Sequence, residues 1–181
     1  MFATCLNILF ALALGIPQSA GAPKLPFTDP GACPFECCQY GEWTAASSAR
    51  VYKSASKESG VAFTIRSGEE LRALTGMVIT RKAGIVIVRK QTAFGDITVP
   101  AGGKLYVLHR AGEGEALFWY KGAAHSAELY ADEVHKGNER YPWDVISLPQ
   151  AEWWVKVRNQ RGATGWLLDP QGFHGMDACG G

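Results

Sequence analysis

The sequence carries almost no net charge: its 181 residues include 18 lysines and arginines against 17 aspartates and glutamates. A nucleic-acid-binding surface needs clustered basic charge, and no such cluster stands out, so no nucleic-acid partner is predicted. The motifs of phosphate-binding loops, dinucleotide-binding folds and serine hydrolases are also missing. The sequence therefore predicts no cofactor and no catalytic constellation, and it favours a binding function.

Long hydrophobic segments are scarce as well. Residues 1–22 have no charged side chain, and they contain one apolar run, residues 8–16. That run is too short to span a bilayer, but it has the length of a signal-peptide core. We expect cleavage after Gly21, because Pro23 disfavours a cut after Ala22. The sequence thus predicts a signal peptide over 1–21, no membrane span once it is removed, and a periplasmic or secreted protein.

Cysteines are few, and their number is informative. Cys5 lies in the leader, which leaves Cys33, Cys37, Cys38 and Cys179. An even number in an oxidising compartment predicts two disulfides. A Cys37–Cys38 bond would close a strained ring, so we favour Cys33–Cys38 with Cys37–Cys179, and the alternative joins Cys33 to Cys37 and Cys38 to Cys179. Neither CPFECC nor the histidine spacing fits a metal motif, so no metal site is predicted.

Long amphipathic helices are also lacking. From Glu42 onward, short apolar runs such as VAFTI, MVIT and IVIV alternate with turn residues. Short runs with β-branched residues between glycines are typical of strands. The best helical candidate, 127–139, is expected to form a turn or two at most. The sequence therefore predicts an all-β fold.

Two segments form an internal repeat. IRSGEELRAL (65–74) matches VPAGGKLYVL (99–108) at an offset of 34 residues. In each copy a branched apolar residue is followed at three-residue steps by Gly, Leu and Leu. A solenoid needs at least three repeats, so we expect two small units that share or abut a strand.

The stretch EWWVKVRNQRGATGWLL, residues 152–168, predicts a β-hairpin with its turn at NQRG. Side chains alternate between the two faces of a strand. The face formed by Trp153, Val155 and Val157 is expected in the core. The opposite face carries Trp154, Lys156 and Arg158.

This hairpin resembles the end of a bacterial SH3-like (SH3b) barrel, which has a W-x-K-V strand, a glycine turn and a G-W-V/L return. ARVYKSASKESGVAFTIRSGEELRAL (49–74) resembles the opening half of such a barrel, and AGGKLYVLHRAGEGEALFWYKG (101–122) repeats that half. The resemblance implies small SH3-like barrels: unit 1 at 44–92 and unit 2 at 93–170 with a long insertion at 123–150. An extended, cysteine-containing linker at 22–43 precedes them, and a tail at 171–181 follows.

The resemblance also implies a function, because exported SH3b domains are mostly binding modules. We therefore expect a non-catalytic module that recognises cell-wall (peptidoglycan) peptide or another envelope component. Candidate ligand-binding residues are Trp154 with Lys156 and Arg158 as a cationic rim, and Trp119, Tyr141 and Trp143 as a converging aromatic groove. For each aromatic residue the alternative is core packing, and for the two cations it is a solvated strand face.

Two other functions remain open from the sequence. The chain is an interaction subunit if the Tyr- and Trp-rich insertion docks on another exported protein. It is a thiol-based enzyme if one of the four remaining cysteines carries a free, alkylatable thiol.

Overall fold

The computed structural model describes residues 21–179, so the predicted signal peptide lies outside the described residues except for Gly21. The fold is all-β, as predicted, and the described part of the chain contains no helix. The strands are β1 (Phe27–Pro30), β2 (Gly41–Ala45), β3 (Ala49–Ser54), β4 (Ser56–Ile65), β5 (Glu70–Lys82), β6 (Gly84–Val88), β7 (Thr92–Phe94), β8 (Ile97–Val99), β9 (Lys104–Arg110), β10 (Glu115–Tyr120), β11 (Ala123–Glu128), β12 (Trp143–Ser147), β13 (Gln150–Asn159), β14 (Thr164–Leu168) and β15 (Phe173–His174).

The larger sheet curls into a half-barrel in the order β15-β2-β5-β13-β14-β3-β4, and β1 also pairs with β5. The longest strand of this sheet is β5, which pairs with β13 along nearly its whole length. The segment 22–43, predicted as an extended linker, contributes β1 and the start of β2 to this sheet. The N-terminal segment is therefore part of the fold.

The smaller sheet has the order β11-β10-β9-β6-β12, and β7 and β8 form a separate ribbon. It is built entirely from residues 84–147, which lie in the chain between β5 and β13. The closing hairpin, assigned from the sequence to the unit at 93–170, lies in the larger sheet. Its register places Trp153 opposite Val78 and Val155 opposite Gly76 on β5, because that pairing buries both side chains of the hairpin in the larger core.

The two sheets follow the same plan. In the larger sheet β2 pairs with β5 and β15, and β5, β13 and β14 form a meander. In the smaller sheet β6 pairs with β9 and β12, and β9, β10 and β11 form the meander. A hairpin, β3–β4 or β7–β8, separates the first two paired strands in each case. Residues 84–147 thus form a second unit inserted into the first.

The internal repeat corresponds to one turn in each unit. Gly68 and Gly102 both have φ of +81°, and the amides of Glu69 and Gly103 donate to the carbonyls three residues earlier. A positive φ at the third turn position is the type II geometry, which glycine adopts without strain. The leucines that follow, Leu71 and Leu105, are each buried in the core of their own sheet.

Buried polar contacts join the two sheets. Thr80 on β5 is fully buried, and its Oγ1 donates to the carbonyl of Leu108 on β9 at 2.8 Å. His109, also on β9 and buried, places Nε2 2.9 Å from Asp29 Oδ2 on β1. Because β1 and β5 belong to the larger sheet, these contacts hold the two units in one orientation.

Candidate ligand-binding groove

A groove of about 690 Å³ lies where the two sheets meet residues 34–35 and the residues after β14. Its floor includes Val78 and Trp153 from the larger sheet. One wall comes from the smaller sheet and another from the residues after β14. The cysteine-rich segment closes a third side. We call this cavity the central groove.

Residues 33–38 form a small disulfide-closed loop beside the groove, here called the disulfide loop. Of the pairings left open by the sequence, the structure has Cys33–Cys38 and Cys37–Cys179. The second bond ties the loop to the C-terminal residues, where the amide of Ala178 also donates to the Cys37 carbonyl at 2.8 Å. Two walls of the groove are therefore linked covalently.

Trp153 is held in place by the segment that leads into this loop. Its Nε1 donates to the Ala32 carbonyl at 3.1 Å, and its ring meets Phe35 edge to face with centroids 5.6 Å apart. A Cβ at Gly76 would lie 2.8 Å from Trp153 Nε1 and 2.9 Å from the Ala32 oxygen. Gly76 thus gives the loop room to dock on β5, and Trp153 is left only 8% exposed.

The lining of the groove also includes charged side chains. Arg110 of the smaller sheet pairs with Asp132, its Nε lying 2.8 Å from Asp132 Oδ1. Asp169 and Asp177 lie on the wall formed by the C-terminal residues. The cavity therefore combines an apolar floor with charges of both signs, as small-molecule and peptide sites do.

Asp169 is the groove residue with a clearly shifted acidity. Burial raises the pKa of its carboxyl, and the backbone N–H of Trp153, which donates to Oδ1 at 2.7 Å, opposes part of that shift. Asp169 also has a φ of +41°, a left-handed conformation that aspartate and asparagine tolerate better than most residues. This hydrogen bond attaches the wall formed by the residues after β14 to Trp153 on β13.

Trp154, predicted as the exposed ligand residue of the hairpin, lies under other side chains. It is 1% exposed, and the ring of Tyr52 meets it edge to face at 5.7 Å. Its Nε1 donates to Glu152 Oε2 at 3.2 Å. No ring face of Trp154 is left for a ligand, because the β3–β4 hairpin covers this side of the sheet.

Lys156 and Arg158, predicted as a cationic rim, share the outer face of the larger sheet. Lys156 lies opposite Trp166 on β14, and Arg158 lies opposite Thr164. Arg158 is exposed and borders a separate depression near Glu42 and Glu70. Neither cation lines the central groove.

The three other predicted aromatic residues lie in two places. Tyr141 stacks on Trp143 with centroids 5.3 Å apart, and Trp143 is 6% exposed in the core of the smaller sheet. Trp119 instead meets Phe27 at 6.3 Å, and its Nε1 donates to the Gly21 carbonyl at 3.0 Å. The structure therefore joins Tyr141 and Trp143, whereas Trp119 and Trp154 each have other partners.

Sequence reasoning missed Phe35, Asp169 and Met176 as groove residues. One signal was present: the favoured Cys37–Cys179 bond brings the C-terminal residues to residues 33–38. Because these C-terminal residues directly follow the closing hairpin, the disulfide loop has to lie near the hairpin. The pairing therefore pointed to a cluster beside Trp153.

The cysteine and acidic side chains around the Cys37–Cys179 disulfide do not form a metal site. Ligand atoms of Cys37, Asp177 and Cys179 come within 4.8 Å of one another. Both sulfurs belong to the Cys37–Cys179 disulfide, and a disulfide lacks the thiolate that binds metal. The acidic residue alone supplies too few ligands.

Comparison with protein-family models, with curated proteins and with solved structures found no match to this chain. Within residues 21–179 there is no helix long and apolar enough to cross a membrane.

Proposed function

We propose that this protein is a non-catalytic, exported binding module of SH3-like type that recognises cell-wall peptide, or another envelope component, in its central groove. The observation that carries the proposal is the groove itself. Its lining combines the apolar side chains of Trp153, Val78 and Phe35 with the charged side chains of Arg110 and Asp169. Aromatic-lined grooves of this kind bind extended peptides.

The strand order supports the SH3-like interpretation. An SH3-like barrel has a first strand, a long hairpin, a three-stranded meander and a final short strand that pairs back with the first. Strands β2, β3–β4, β5, β13, β14 and β15 follow this order, and β6 to β12 follow it again. In this interpretation one barrel is inserted into a loop of the other.

The disulfides support export, because such bonds persist in oxidising compartments. All four cysteines of the described region are paired, which leaves a thiol-based reaction without a nucleophile there. Docking through the insertion 123–150 has less support, since Tyr141 and Trp143 pack on each other and against the core of the smaller sheet. The central groove instead has partly exposed or exposed lining residues, such as Phe35 and Ala151.

The test is retention of purified protein on isolated peptidoglycan. We expect Ala151→Trp to abolish most retention, because Ala151 is exposed on the groove lining and a large ring there fills the cavity. Ala163→Trp, in the exposed turn between β13 and β14, is the matched control and keeps retention. Circular dichroism verifies that both variants fold.

Equal retention of the two variants would show that the ligand does not bind in the central groove. No retention of wild type would remove cell-wall peptide as the ligand. Crosslinking to envelope proteins then tests whether the ligand is another envelope component. Ala151→Trp is again expected to reduce capture, and Ala163→Trp is expected to leave it unchanged.

A further inference from the structure

A second surface lies on the smaller sheet, away from the residues that line the central groove. It is a depression of about 320 Å³ lined by Lys104, Tyr106, Tyr120 and Lys121. Lys104 and Tyr106 come from β9, Tyr120 ends β10, and Lys121 starts the turn to β11. We call it the lysine–tyrosine surface.

Each lysine of this surface lies over a tyrosine ring. Lys104 Nζ is 5.9 Å from the centroid of the Tyr106 ring, and Lys121 Nζ is 5.3 Å from that of Tyr120. Such cation–π contacts hold the ammonium groups near the rings with about 0.5–1 kcal/mol each at exposed sites. The four side chains thus line one depression with two rings and two cations, and Tyr120 also packs against the core of the smaller sheet.

The two cations are not neutralised by the protein. No acidic residue lines the depression, and neither lysine has a carboxylate within 4.0 Å among residues 21–179. Arg110, at the other end of β9, differs in that it pairs with Asp132. The surface therefore has positive charge available for an anion.

Lys121 is also an unusual residue for its position. It is the first of two residues in the β10–β11 turn, with φ of +47°, and Gly122 follows with φ of +89°. Positive φ at both central positions defines a type I′ turn, for which asparagine, aspartate or glycine is preferred at the first. Lysine in this conformation is strained, and strain of this kind clusters at functional sites.

We propose that the lysine–tyrosine surface binds a sugar that carries a carboxylate. Each ammonium group offers three donors to the carboxylate, and the tyrosine hydroxyl groups offer hydrogen bonds to the hydroxyl groups of the sugar. A neutral sugar lacks the ion pair, and a cationic ligand is repelled. A membrane surface fits less well, because the neighbouring exposed residues, Gly122 and Ala123, have no large apolar side chain to insert.

The test is a titration of the 15N-labelled protein with trigalacturonic acid, followed by NMR chemical shifts. Its fully methyl-esterified form is the neutral matched ligand. We expect Lys104→Gln/Lys121→Gln to weaken binding of the acid about tenfold, since two charge-assisted contacts are lost. Lys53→Gln/Lys136→Gln removes the same charge from exposed lysines elsewhere and keeps the affinity.

The variant Lys121→Asn distinguishes an effect on ligand binding from an effect on folding. Asparagine suits the positive φ, so its Tm is expected to equal or exceed that of wild type while the affinity for the acid falls. Equal binding of acid and ester, or equal affinity in the two double variants, overturns the proposal. So does binding to vesicles of phosphatidylglycerol without binding to the acid, which assigns the surface to a membrane.

Discussion

At the scale of single residues, Asp169 links the groove to the pH dependence of stability. Its carboxyl has a raised pKa in the folded protein because it is partly buried. The folded state therefore binds this proton more tightly than the unfolded chain, whose aspartates titrate near pH ~3.9. The contribution of Asp169 to the free energy of unfolding is fully favourable below that pH and is lost as pH rises through the folded pKa.

Asp169→Asn is accordingly expected to raise the free energy of unfolding at neutral pH relative to wild type. The asparagine Oδ1 still accepts the Trp153 N–H, and asparagine tolerates the left-handed φ. The advantage is expected to vanish as pH falls below about 4, where wild-type aspartate is protonated. Urea unfolding at neutral pH and at a pH below about 4 measures this difference in the free energy of unfolding. A difference that does not change with pH would contradict the raised pKa of Asp169.

At the scale of elements, the disulfides differ in what they constrain. Cys37–Cys179 spans a sequence separation of 142 residues, whereas Cys33–Cys38 spans 5. Chain-entropy arguments give a loss of about 5 kcal/mol for removing the long-range bond and about 2 kcal/mol for the local one. The long-range bond also positions the disulfide loop against the C-terminal residues.

We therefore expect Cys37→Ser/Cys179→Ser to destabilise the fold more than Cys33→Ser/Cys38→Ser. Urea unfolding of both double variants tests the order, and equal losses would contradict it. Where the long-range variant stays folded, its tryptophan fluorescence is expected to shift to the red, because Phe35 no longer covers the Trp153 ring. The local variant keeps the C-terminal tether and is expected to shift less.

At the scale of the whole molecule, the two sheets have separate cores but few polar links. Thr80→Val keeps the side-chain shape and deletes the hydrogen bond to the Leu108 carbonyl. An unsatisfied buried carbonyl costs about 1–3 kcal/mol. For a chain of this size that lowers Tm by roughly 2–4 °C per kcal/mol.

Thr75→Val is the control for this prediction. Thr75 lies on the same strand, is half-buried, and its side chain forms no hydrogen bond within the described part of the chain. Its Tm is expected to change little, since substitutions away from such contacts stay within about ±0.5 kcal/mol. Calorimetry measures both variants. An equal change in Tm would show that the Thr80 hydrogen bond does not couple the sheets.

The sequence by itself determined the local features. Alternation placed Trp153, Val155 and Val157 on the core face of the closing hairpin, because the pleat of a strand is a property of consecutive residues. The repeat similarly marked the two glycine turns at Gly68 and Gly102, whose positive φ needs no distant partner. All-β class and hairpin turns follow from such short-range patterns.

Only the tertiary structure decided which strands pair and which aromatic residue borders a cavity. The partner of Trp153 on β5 is Val78, far away in the sequence, because residues 84–147 fold as an inserted unit between their strands. Trp154 was left on the outer face by alternation, but Tyr52 covers it. Periodicity sets the direction of each side chain, whereas burial against distant elements sets what that side chain meets.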